Sequence, residues 1–346
     1  MKIAVVVPIK NEVDGLQELV DALLGQSLQP DEIIFVDAGS TDGSVELLHS
    51  LYGDNSRVRV INSPGAFCGQ GRNVAIRNTN ASIIAQIDGG NKPDSRWLEL
   101  LCVPIIKGEA EYVIGGLRFM PIPKKILGIE FNIAEIYGTS IFPKRREEEY
   151  EEGYICGGAG IVYKRDVWER VGGIPDVKVA EDVLFVKKVL RLNMIKIVFV
   201  GDTWIYWQIG PSLADIIRRQ IDYQTAKFRE SENIFRFKGT VILPPLVVIL
   251  AVLSVWFPWV LYVIPVVISG YWLRKTFKAL KINKRRSPEM FSGIKGVIVL
   301  SAISIVELIH VISRIIGMVR GILRFRDRER FLKIRNNYLN KDDANQ

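Results

Sequence analysis

The chain contains 346 residues, which is long enough for one large domain with an appended region. Its formal net charge is +8 at pH 7, from 46 Lys and Arg against 38 Asp and Glu. The basic excess lies after about residue 215, around the most apolar stretches. This distribution favours a membrane surface as partner and argues against nucleic acid, for which aromatic residues interleaved with basic ones are expected.

The few cysteines and histidines exclude several kinds of site. Cys68, Cys102 and Cys156 are far apart and form neither a zinc spacing nor a disulfide framework, so a reduced compartment is expected. His49 and His310 are the only histidines, which argues against a histidine-centred mechanism. The first apolar run is too short for a cleavable signal peptide, so we expect the N-terminal domain to remain in the cytosol.

Short apolar runs alternate with amphipathic stretches over the first 90 residues. Four buried strands are predicted, at Ile3–Val7, Glu32–Val36, Arg57–Ile61 and Ser82–Ile87. Three helices are predicted between them: over residues 12–25, over the stretch that ends at about Tyr52, and from Gly69 onward. Ser40 or Thr41 is the predicted cap of the second helix. Alternating strands and helices indicate βαβ units and a mainly parallel sheet, so the predicted fold class is α/β.

Polar residues follow three of these strands where each one ends. They are the segment Pro8–Glu12, Asp37 and Asp88. Ligands of parallel α/β sheets gather at the carboxyl ends of the strands, so these residues are expected to share one site.

The middle of the chain is less regular. An amphipathic helix is predicted over Lys124–Ser140, and the charge run at 144–152 is interpreted as a solvated loop, with a mobile lid as the alternative. Further predicted elements are a glycine-rich strand within Tyr154–Tyr163, a helix at Asp166–Val171, strands near Ile195–Val200 and Thr203–Trp207, and a long helix over Ser212–Glu232.

Glu181 and Asp182 begin a predicted helix just after the turn at Gly172 and Gly173. A carboxylate at a helix N-terminus stays ionised easily, because the dipole and the free N–H groups favour negative charge. That environment suits a general base at neutral pH. Acidic residues in a first turn are also ordinary helix caps, and both interpretations stay open for the pair by itself.

The C-terminal third predicts a membrane region. No charged residue lies between Lys238 and Arg274, and Pro258 divides this stretch into the arms of a helical hairpin, about 240–256 and 258–273, either spanning or re-entrant. The basic loop after it is expected to face the cytosol. A third apolar stretch, about 294–319, is predicted as an in-plane amphipathic helix, with a true span as the alternative.

A basic segment and a polar tail at Lys341–Gln346 follow that stretch. The predicted domains are therefore 1–235, cytosolic, and 236–346, the membrane region with its hairpin at about 240–273.

Several segments together resemble the family 2 glycosyltransferases, whose catalytic domain has the GT-A nucleotide-sugar-binding, Rossmann-like fold. The resemblance covers about residues 1–235. It is carried by Val5–Glu12, Phe35–Gly43, Gly71–Ala75, Ile87–Gly90 with Trp97 and Leu98, Gly157–Lys164, Gly172 and Gly173, Glu181 and Asp182, and Arg218–Gln220 with Tyr223.

The resemblance implies a role for each matching residue. Asp182 is the expected catalytic base, with Glu181 as its orienting neighbour. The expected acceptor side is formed by Gly157, Gly158 and Trp207. The expected nucleotide-sugar site is formed by Pro8, Ile9, Glu12, Asp37, Arg72, Asp88, Gly89, Arg218, Arg219 and Gln220.

One position departs from the family pattern. The second Asp of the family's Asp-X-Asp motif, which ordinarily ligates the divalent metal, is Gly90 here. Asp88 is the expected ligand for Mg²⁺ or Mn²⁺, and a site with Asp88 alone is incomplete for a hard cation that prefers several oxygen ligands.

The resemblance implies an inverting transfer of a sugar from a UDP- or GDP-sugar to a lipid-linked acceptor, by an integral membrane protein whose catalytic domain faces the cytoplasm. Trp204, Tyr206 and Trp207 are candidates for stacking on a sugar, and ordinary core packing is the alternative. Gly90 leaves a non-catalytic membrane scaffold as the second interpretation. A nucleotidyltransferase is disfavoured because Pro8–Glu12 has no glycine, and a polymerising synthase because the predicted membrane region is small.

Overall fold

The computed structural model describes most of the N-terminal two thirds and parts of the remainder. The described residues are 1–120, 123–126, 129–132, 158–178, 180–192, 195–208, 217–218, 220–222, 224–225, 246, 250, 253–286, 293–323 and 325–340. The predicted charged loop at 144–152, the first hairpin arm except residues 246, 250 and 253–256, and the tail at 341–346 lie outside them.

Strands and helices alternate along the chain, as the hydrophobic pattern predicts. The strands are β1 Ile3–Ile9, β2 Glu32–Asp37, β3 Val58–Asn62, β4 Ile83–Gln86, β5 Asn91–Pro93, β6 Tyr112–Phe119, β7 Pro123–Ile126, β8 Ile129–Asn132, β9 Ile161–Lys164 and β10 Ile197–Trp207. The helices are α1 Val13–Leu24, α2 Ser44–Tyr52, α3 Cys68–Arg77, α4 Trp97–Ile106, α5 Arg165–Arg170, α6 Glu181–Arg191, α7 Val263–Arg286, α8 Gly293–Leu323 and α9 Phe325–Asn340.

The main sheet is mixed. Within the described residues its strand order is β3-β2-β1-β4-β9-β6-β10-β5. β1 pairs in parallel with β2 and β4, and β2 pairs in parallel with β3, whereas β9 is antiparallel to β4 and β6, and β10 is antiparallel to β5. The prediction of a mainly parallel sheet therefore holds for the first four strands. The other half of the sheet contains antiparallel strands, and a short apolar run does not show whether a strand pairs in parallel or antiparallel.

Both faces of the sheet are covered by apolar side chains, so β1 and β2 read as continuous β-branched runs. Successive residues of β1 point to opposite faces: Val5 packs with Leu16 of α1 on one side, and Val6 packs with Ile76 of α3 on the other. The four predicted strands are confirmed within one or two residues at each end.

Four local predictions are wrong. The basic loop expected after residue 273 is the second half of α7, Val263–Arg286. Residues 123–132 form the antiparallel hairpin β7–β8 where the beginning of the helix Lys124–Ser140 was predicted. The two strands predicted between 195 and 207 are one strand, β10. Neither Ser40 nor Thr41 caps α2, because the helix begins at Ser44 after Gly43 and the Ser40 hydroxyl instead donates to Asp37.

The chain divides into two compact units. Unit 1 contains residues 1–118, 145–208 and 333–346, and unit 2 contains residues 119–144 and 209–332. The domain boundary predicted between residues 235 and 236 falls outside the described residues and stays a prediction.

Unit 2 contains α7 and α8, which pack along Ala279, Val299 and Ile303. Trp272 Nε1 donates to the Ser304 carbonyl at 2.9 Å. Among the described residues, Gly296–Gly317 of α8 is the one helical stretch long and apolar enough to cross a membrane, by length and composition.

The end of α9 packs within unit 1. The Tyr338 hydroxyl donates to the Gly173 carbonyl at 2.7 Å, and the Lys188 ammonium of α6 lies 4.7 Å from the centre of the Tyr338 ring. Arg191 donates to the Leu339 carbonyl at 3.2 Å. The last turns of the described chain therefore hold the rear of α6 and the glycine turn that precedes it.

Candidate active site

The loops that follow β1 and β2 are joined by reciprocal hydrogen bonds. Asn11 N donates to Ser40 Oγ at 2.8 Å, and Thr41 N donates to Asn11 Oδ1 at 2.8 Å. Asn11 has a φ of 56°, a left-handed conformation that asparagine tolerates better than most residues. The two predicted site segments therefore meet at the carboxyl edge of the sheet.

The start of α1 is attached to the same loop. Glu12 N donates to Ser44 Oγ at 3.0 Å, and Val13 N donates to Asp42 Oδ2 at 2.9 Å. Burial acts to raise the pKa of Asp42, but hydrogen bonds from Ser44 and Val13 outweigh it and the pKa is lowered. The first N–H groups of α1 are thus satisfied from another loop.

Asp37, a residue of the predicted nucleotide-sugar site, is buried at the end of β2. Its carboxylate accepts hydrogen bonds from Gly39 N at 2.9 Å and from Ser40 N at 3.1 Å. This carboxylate shapes the turn from its own strand into the loop.

Arg72 lies at the centre of the site and is almost fully buried. Its guanidinium forms one salt bridge with Asp88 and a second, at 3.1 Å, with Glu181. The Asp88 side chain is 43% exposed, whereas the Glu181 side chain is 11% exposed. Arg72 therefore joins the end of the predicted donor site to the first turn of α6, where the predicted catalytic pair lies.

Burial and charge shift the pKa values of this cluster. Burial acts to lower the pKa of Arg72, but Asp88 and Glu181 raise it above its usual range. Burial, followed by the charge of Asp182, raises the pKa of Glu181 despite the opposing effect of Arg72. Burial also raises the pKa of Asp182, against the effects of Arg72 and of the Val183 N–H. A buried carboxyl group with a raised pKa can exchange a proton nearer neutral pH.

Two glycines of α3 allow this packing. A Cβ on Gly69 would lie 2.9 Å from Glu181 Cγ and 2.9 Å from Ile174 Cγ2. A Cβ on Gly71 would lie 3.2 Å from Pro8 Cβ. The glycine pattern of Gly69-Gln70-Gly71 thus has a packing reason, because α3 approaches both β1 and α6 closely.

Glu12 lies against Gly89 and Gly90. A Cβ on Gly89 would lie 3.0 Å from Glu12 Cγ, and a Cβ on Gly90 would lie 3.4 Å from Glu12 Oε2. A carboxylate oxygen therefore lies next to the space into which a side chain at position 90 would project. Among the described residues no group of three or more His, Cys, Asp or Glu side chains forms a metal cluster.

Two of the three predicted acceptor residues, Gly158 and Trp207, are described, and they contact different neighbours. Gly158 has a φ of 95°, and a Cβ there would lie 3.0 Å from Asp182 Oδ2. Trp207 pairs with Asn91, and Gln208 N donates to the Gly90 carbonyl at 3.2 Å. Trp207 therefore belongs to the edge that begins at Asp88.

Trp204 has another partner. The Arg118 guanidinium lies 3.6 Å from the centre of the Trp204 ring, which is the distance of a stacked cation–π pair. Ordinary packing within the sheet describes this tryptophan better than sugar stacking.

Four predicted site residues remain, of which two are not described and two belong to the other unit. Gly157 and Arg219 lie outside the described residues. Arg218 and Gln220 belong to unit 2, where Gln220 is buried and its Nε2 lies 3.0 Å from His310 Nδ1. The predicted roles of Arg218, Arg219 and Gln220 in nucleotide-sugar binding and of Gly157 in acceptor binding stay predictions.

Sequence reasoning missed Gln86, Asn73 and Tyr163. Asn73 Oδ1 accepts from the Trp168 indole at 2.8 Å and from Ile174 N at 2.9 Å, which positions the turn before α6. Gln86 bonds to Tyr163 and to the Gly158 carbonyl. The available signal was a polar residue at the end of a buried apolar strand, where an amide needs partners.

Residues 4–172, just under half of the chain, match the family model described as Glycosyl transferase family 2. They include the donor-side loops, Arg72, Asp88 and Gly158.

Among similar proteins, Glycosyltransferase GlyG of Streptococcus pneumoniae is 36% identical over 117 residues, covering 33% of this chain and 38% of that protein. Chondroitin synthase of Pasteurella multocida is 28% identical over 105 residues, covering 30% of this chain but 11% of the synthase. The chain thus spans less than half of either relative. S. aureus TarS 1-349 in complex with UDP-GlcNAc aligns over 94% of this chain and 92% of that chain, with 14% identity and a TM-score of 0.47.

Proposed function

We propose that this protein is an inverting glycosyltransferase that moves a sugar from a nucleotide diphosphate donor to a lipid-linked acceptor at a membrane. The observation that carries the proposal is the Arg72 bridge, which joins Asp88 at the end of β4 to Glu181 beside Asp182. The match of residues 4–172 to the family 2 glycosyltransferase model supports the reaction class. One cation therefore connects the expected donor side with the expected catalytic pair.

Asp182 is the proposed general base. Its raised pKa suits removal of a proton from an acceptor hydroxyl near neutral pH. Asp182 Oδ1 accepts the Val183 N–H at 2.8 Å, while Oδ2 lies beside Gly158 on the acceptor side. A single base without a second nucleophilic carboxylate favours direct displacement and hence inversion at the anomeric carbon.

Glu181 is the proposed neighbour that orients the site. Its salt bridge with Arg72 holds the first turn of α6 against α3, and Gly69 leaves space for its side chain. Donor binding is proposed for the loops that contain Pro8, Ile9, Glu12, Asp37 and Gly89, with Arg218, Arg219 and Gln220 as further donor contacts.

A divalent cation, Mg²⁺ or Mn²⁺, is part of the proposal. Asp88 and Glu12 would hold it, because Glu12 Oε2 lies beside the position that lacks a side chain at Gly90 and both residues offer the oxygen ligands that hard cations prefer. The cation would offset the charge of the leaving diphosphate. Asp88, Glu181 and Asp182 outnumber the one guanidinium of Arg72, so an anionic donor needs additional positive charge.

The lipid-linked acceptor and the integral membrane location are supported by unit 2. The apolar stretch Gly296–Gly317 has the length of a membrane span, and exposed apolar side chains lie along α7 and α8, among them Val266, Phe277, Val297 and Ile305. We propose that these helices lie in the membrane and that the catalytic domain faces the cytoplasm. A polyprenyl phosphate or a lipid-linked saccharide has the amphipathic chemistry for such a surface.

Nucleotide-sugar turnover by the detergent-solubilised full chain tests the proposal. A panel of UDP- and GDP-sugars is incubated with Mg²⁺, Mn²⁺ or EDTA, with and without a membrane lipid extract. We expect nucleotide release that depends on the extract and is lost in EDTA. Release that is independent of lipid contradicts the acceptor, and retention of activity in EDTA contradicts the metal. Absence of both release and donor binding contradicts the enzyme.

A further inference from the structure

Gln86 ends the apolar strand β4 and is 1% exposed. Burying a carboxamide among apolar residues is unfavourable unless its polar atoms are hydrogen-bonded. The structure provides partners on both sides of this amide, and those partners lead to the catalytic base.

The orientation of the Gln86 amide is defined by Tyr163 of β9. The Tyr163 hydroxyl donates to Gln86 Oε1 at 2.9 Å, so the amide NH₂ faces the opposite way. Burial raises the pKa of Tyr163 above its usual range, which keeps the hydroxyl protonated and able to donate. The Tyr163 ring also packs against Phe185 of α6, with 5.5 Å between ring centres.

Gln86 Nε2 donates to the Gly158 carbonyl at 2.9 Å. The backbone carbonyl of Gln86 accepts from Gly160 N at 2.8 Å. Both bonds hold the turn that precedes β9. Gly158 adopts a φ of 95°, which glycine reaches without the steric cost that a side chain would add. The side chain and the backbone of one residue thus fix the path of this turn.

That turn lies against Asp182. A Cβ on Gly158 would be 3.0 Å from Asp182 Oδ2, so the carboxylate and the turn are in close contact. The other oxygen of Asp182 is held by the Val183 N–H. A displaced turn would therefore free one side of the carboxylate while the helix still held the other.

We propose that Gln86 is a positioning residue that holds the Gly158 turn in register with Asp182, an inference that rests on the proposed function. Gln86 also lies two residues before Asp88, at the end of the same strand. It therefore lies between the proposed donor side, at Asp88, and the proposed acceptor side, at Gly158. Small errors of position at a reacting centre reduce rates strongly, which gives the amide a measurable effect on turnover.

The test compares Gln86→Met with Gln86→Glu in the full-length protein. Gln86→Met retains the approximate size but removes both side-chain hydrogen bonds, and we expect kcat to fall by about tenfold or more with the affinity for the nucleotide-sugar donor unchanged within about twofold. Donor affinity is measured by isothermal titration calorimetry in the absence of acceptor.

Gln86→Glu adds a readout that depends on pH. A protonated Glu donates to the Gly158 carbonyl, whereas an ionised Glu presents a second acceptor to it, and burial raises the pKa of a carboxyl group at this position. We expect the ratio of the variant kcat to the wild-type kcat to fall between about pH 5 and pH 8. A ratio that is constant with pH, together with an unchanged kcat in Gln86→Met, overturns the proposal.

Gln26→Met is the matched control for loss of a buried glutamine. Gln26 is 2% exposed and donates to the Ala22 and Asp94 carbonyls at 3.0 and 2.8 Å, away from Asp182. We expect it to lower the thermal unfolding midpoint as Gln86→Met does while kcat is retained. Equal losses of kcat in both variants would assign Gln86 a structural role only and would also overturn the proposal.

The wild-type protein separates this inference from the proposed function. A wild type that releases no nucleotide from any donor contradicts the proposed function, and the positioning role falls with it. A wild type that transfers sugar, together with a fully active Gln86→Met, contradicts the positioning role alone.

Discussion

Two parts of the site are held together by different physical means. The proposed donor loops, residues 8–13 and 37–44, are joined by hydrogen bonds between backbone N–H groups and short polar side chains, several of them exposed. The proposed catalytic cluster, Arg72 with Asp88, Glu181 and Asp182, is held by charged groups around one buried guanidinium.

This difference has consequences for substitution. Four hydrogen bonds to side chains and one from Ala38 N to the Ile9 carbonyl join the donor loops, so the loss of one leaves the others, and each contributes about 1 kcal/mol. The catalytic cluster depends on Arg72, and removing one partner of a buried ion pair leaves an uncompensated charge. We expect large effects in the cluster and small effects in the loops.

The largest effect is expected for Asp182→Asn. Loss of a general base lowers kcat by about 10²–10⁴-fold, while the Asn oxygen can still accept the Val183 N–H and donor binding is retained. Steady-state turnover and donor calorimetry measure the two quantities. Retention of most of the activity by the purified variant would show that Asp182 is not the base.

At high pH, Asp182→Asn is also expected to be more stable than the wild type. The pKa of Asp182 is raised in the folded state, so its ionisation costs more there than in the unfolded chain. This carboxyl group therefore lowers stability progressively as pH rises through the folded-state pKa. The unfolding midpoint of Asp182→Asn should exceed that of the wild type more at pH 8 than at pH 5, as measured by thermal denaturation at both pH values.

Arg72→Met is expected to have the next largest effect. It leaves the buried Glu181 carboxylate unpaired and should lower the free energy of unfolding by about 3 kcal/mol, with a smaller share from the more exposed Asp88. Urea denaturation measures the loss. In Lys92→Met, the exposed pair with Glu18 disappears and the loss should stay below about 1 kcal/mol. Equal losses in the two variants would contradict the contrast between cluster and surface.

Gly69→Ala tests the close packing of α3 on α6. The added methyl would lie 2.9 Å from Glu181 Cγ, and overpacking of this kind costs about 1–3 kcal/mol. We expect kcat to fall with it because Glu181 must move. The control is Gly270→Ala, where no heavy atom lies within 4 Å of the new Cβ and helix propensity predicts equal or greater stability. An unchanged unfolding midpoint in Gly69→Ala would contradict the packing argument.

Asp42→Ala is expected to have the smallest effect, in the donor loops. It removes the acceptor of the Val13 N–H, the Ser44 N–H and the Ser44 hydroxyl. Because Asp42 is exposed, water replaces part of these bonds, and the loss should be about 1–2 kcal/mol in total, with a several-fold rise in donor KM. The control is Ser50→Ala, which removes an exposed hydrogen bond to the Leu47 carbonyl within α2 and should leave KM unchanged. If the donor KM of Asp42→Ala equals that of the wild type, Asp42 does not contribute to donor binding.

The hydrophobic pattern predicted β1 to β4 because a short run of buried β-branched residues forms a strand when both faces of the sheet are covered. It was wrong for 123–132, where Ile129 and Phe131 fit an alternating strand as well as a helical stripe. A short apolar segment of this kind is decided by its neighbours, and here the β7–β8 pairing decides it.

The sequence by itself determined the family 2 motifs, the polar strand ends and the Glu181-Asp182 pair, since these depend on residue type and local spacing. Tertiary structure decided which of them meet. Arg72 and Glu181 are 109 positions apart, and Gln86 and Gly158 are 72 apart. The first contact follows from the packing of α3 against α6, and the second from the antiparallel return of β9 beside β4. Such packing and pairing bring distant residues together in a way that no local pattern records.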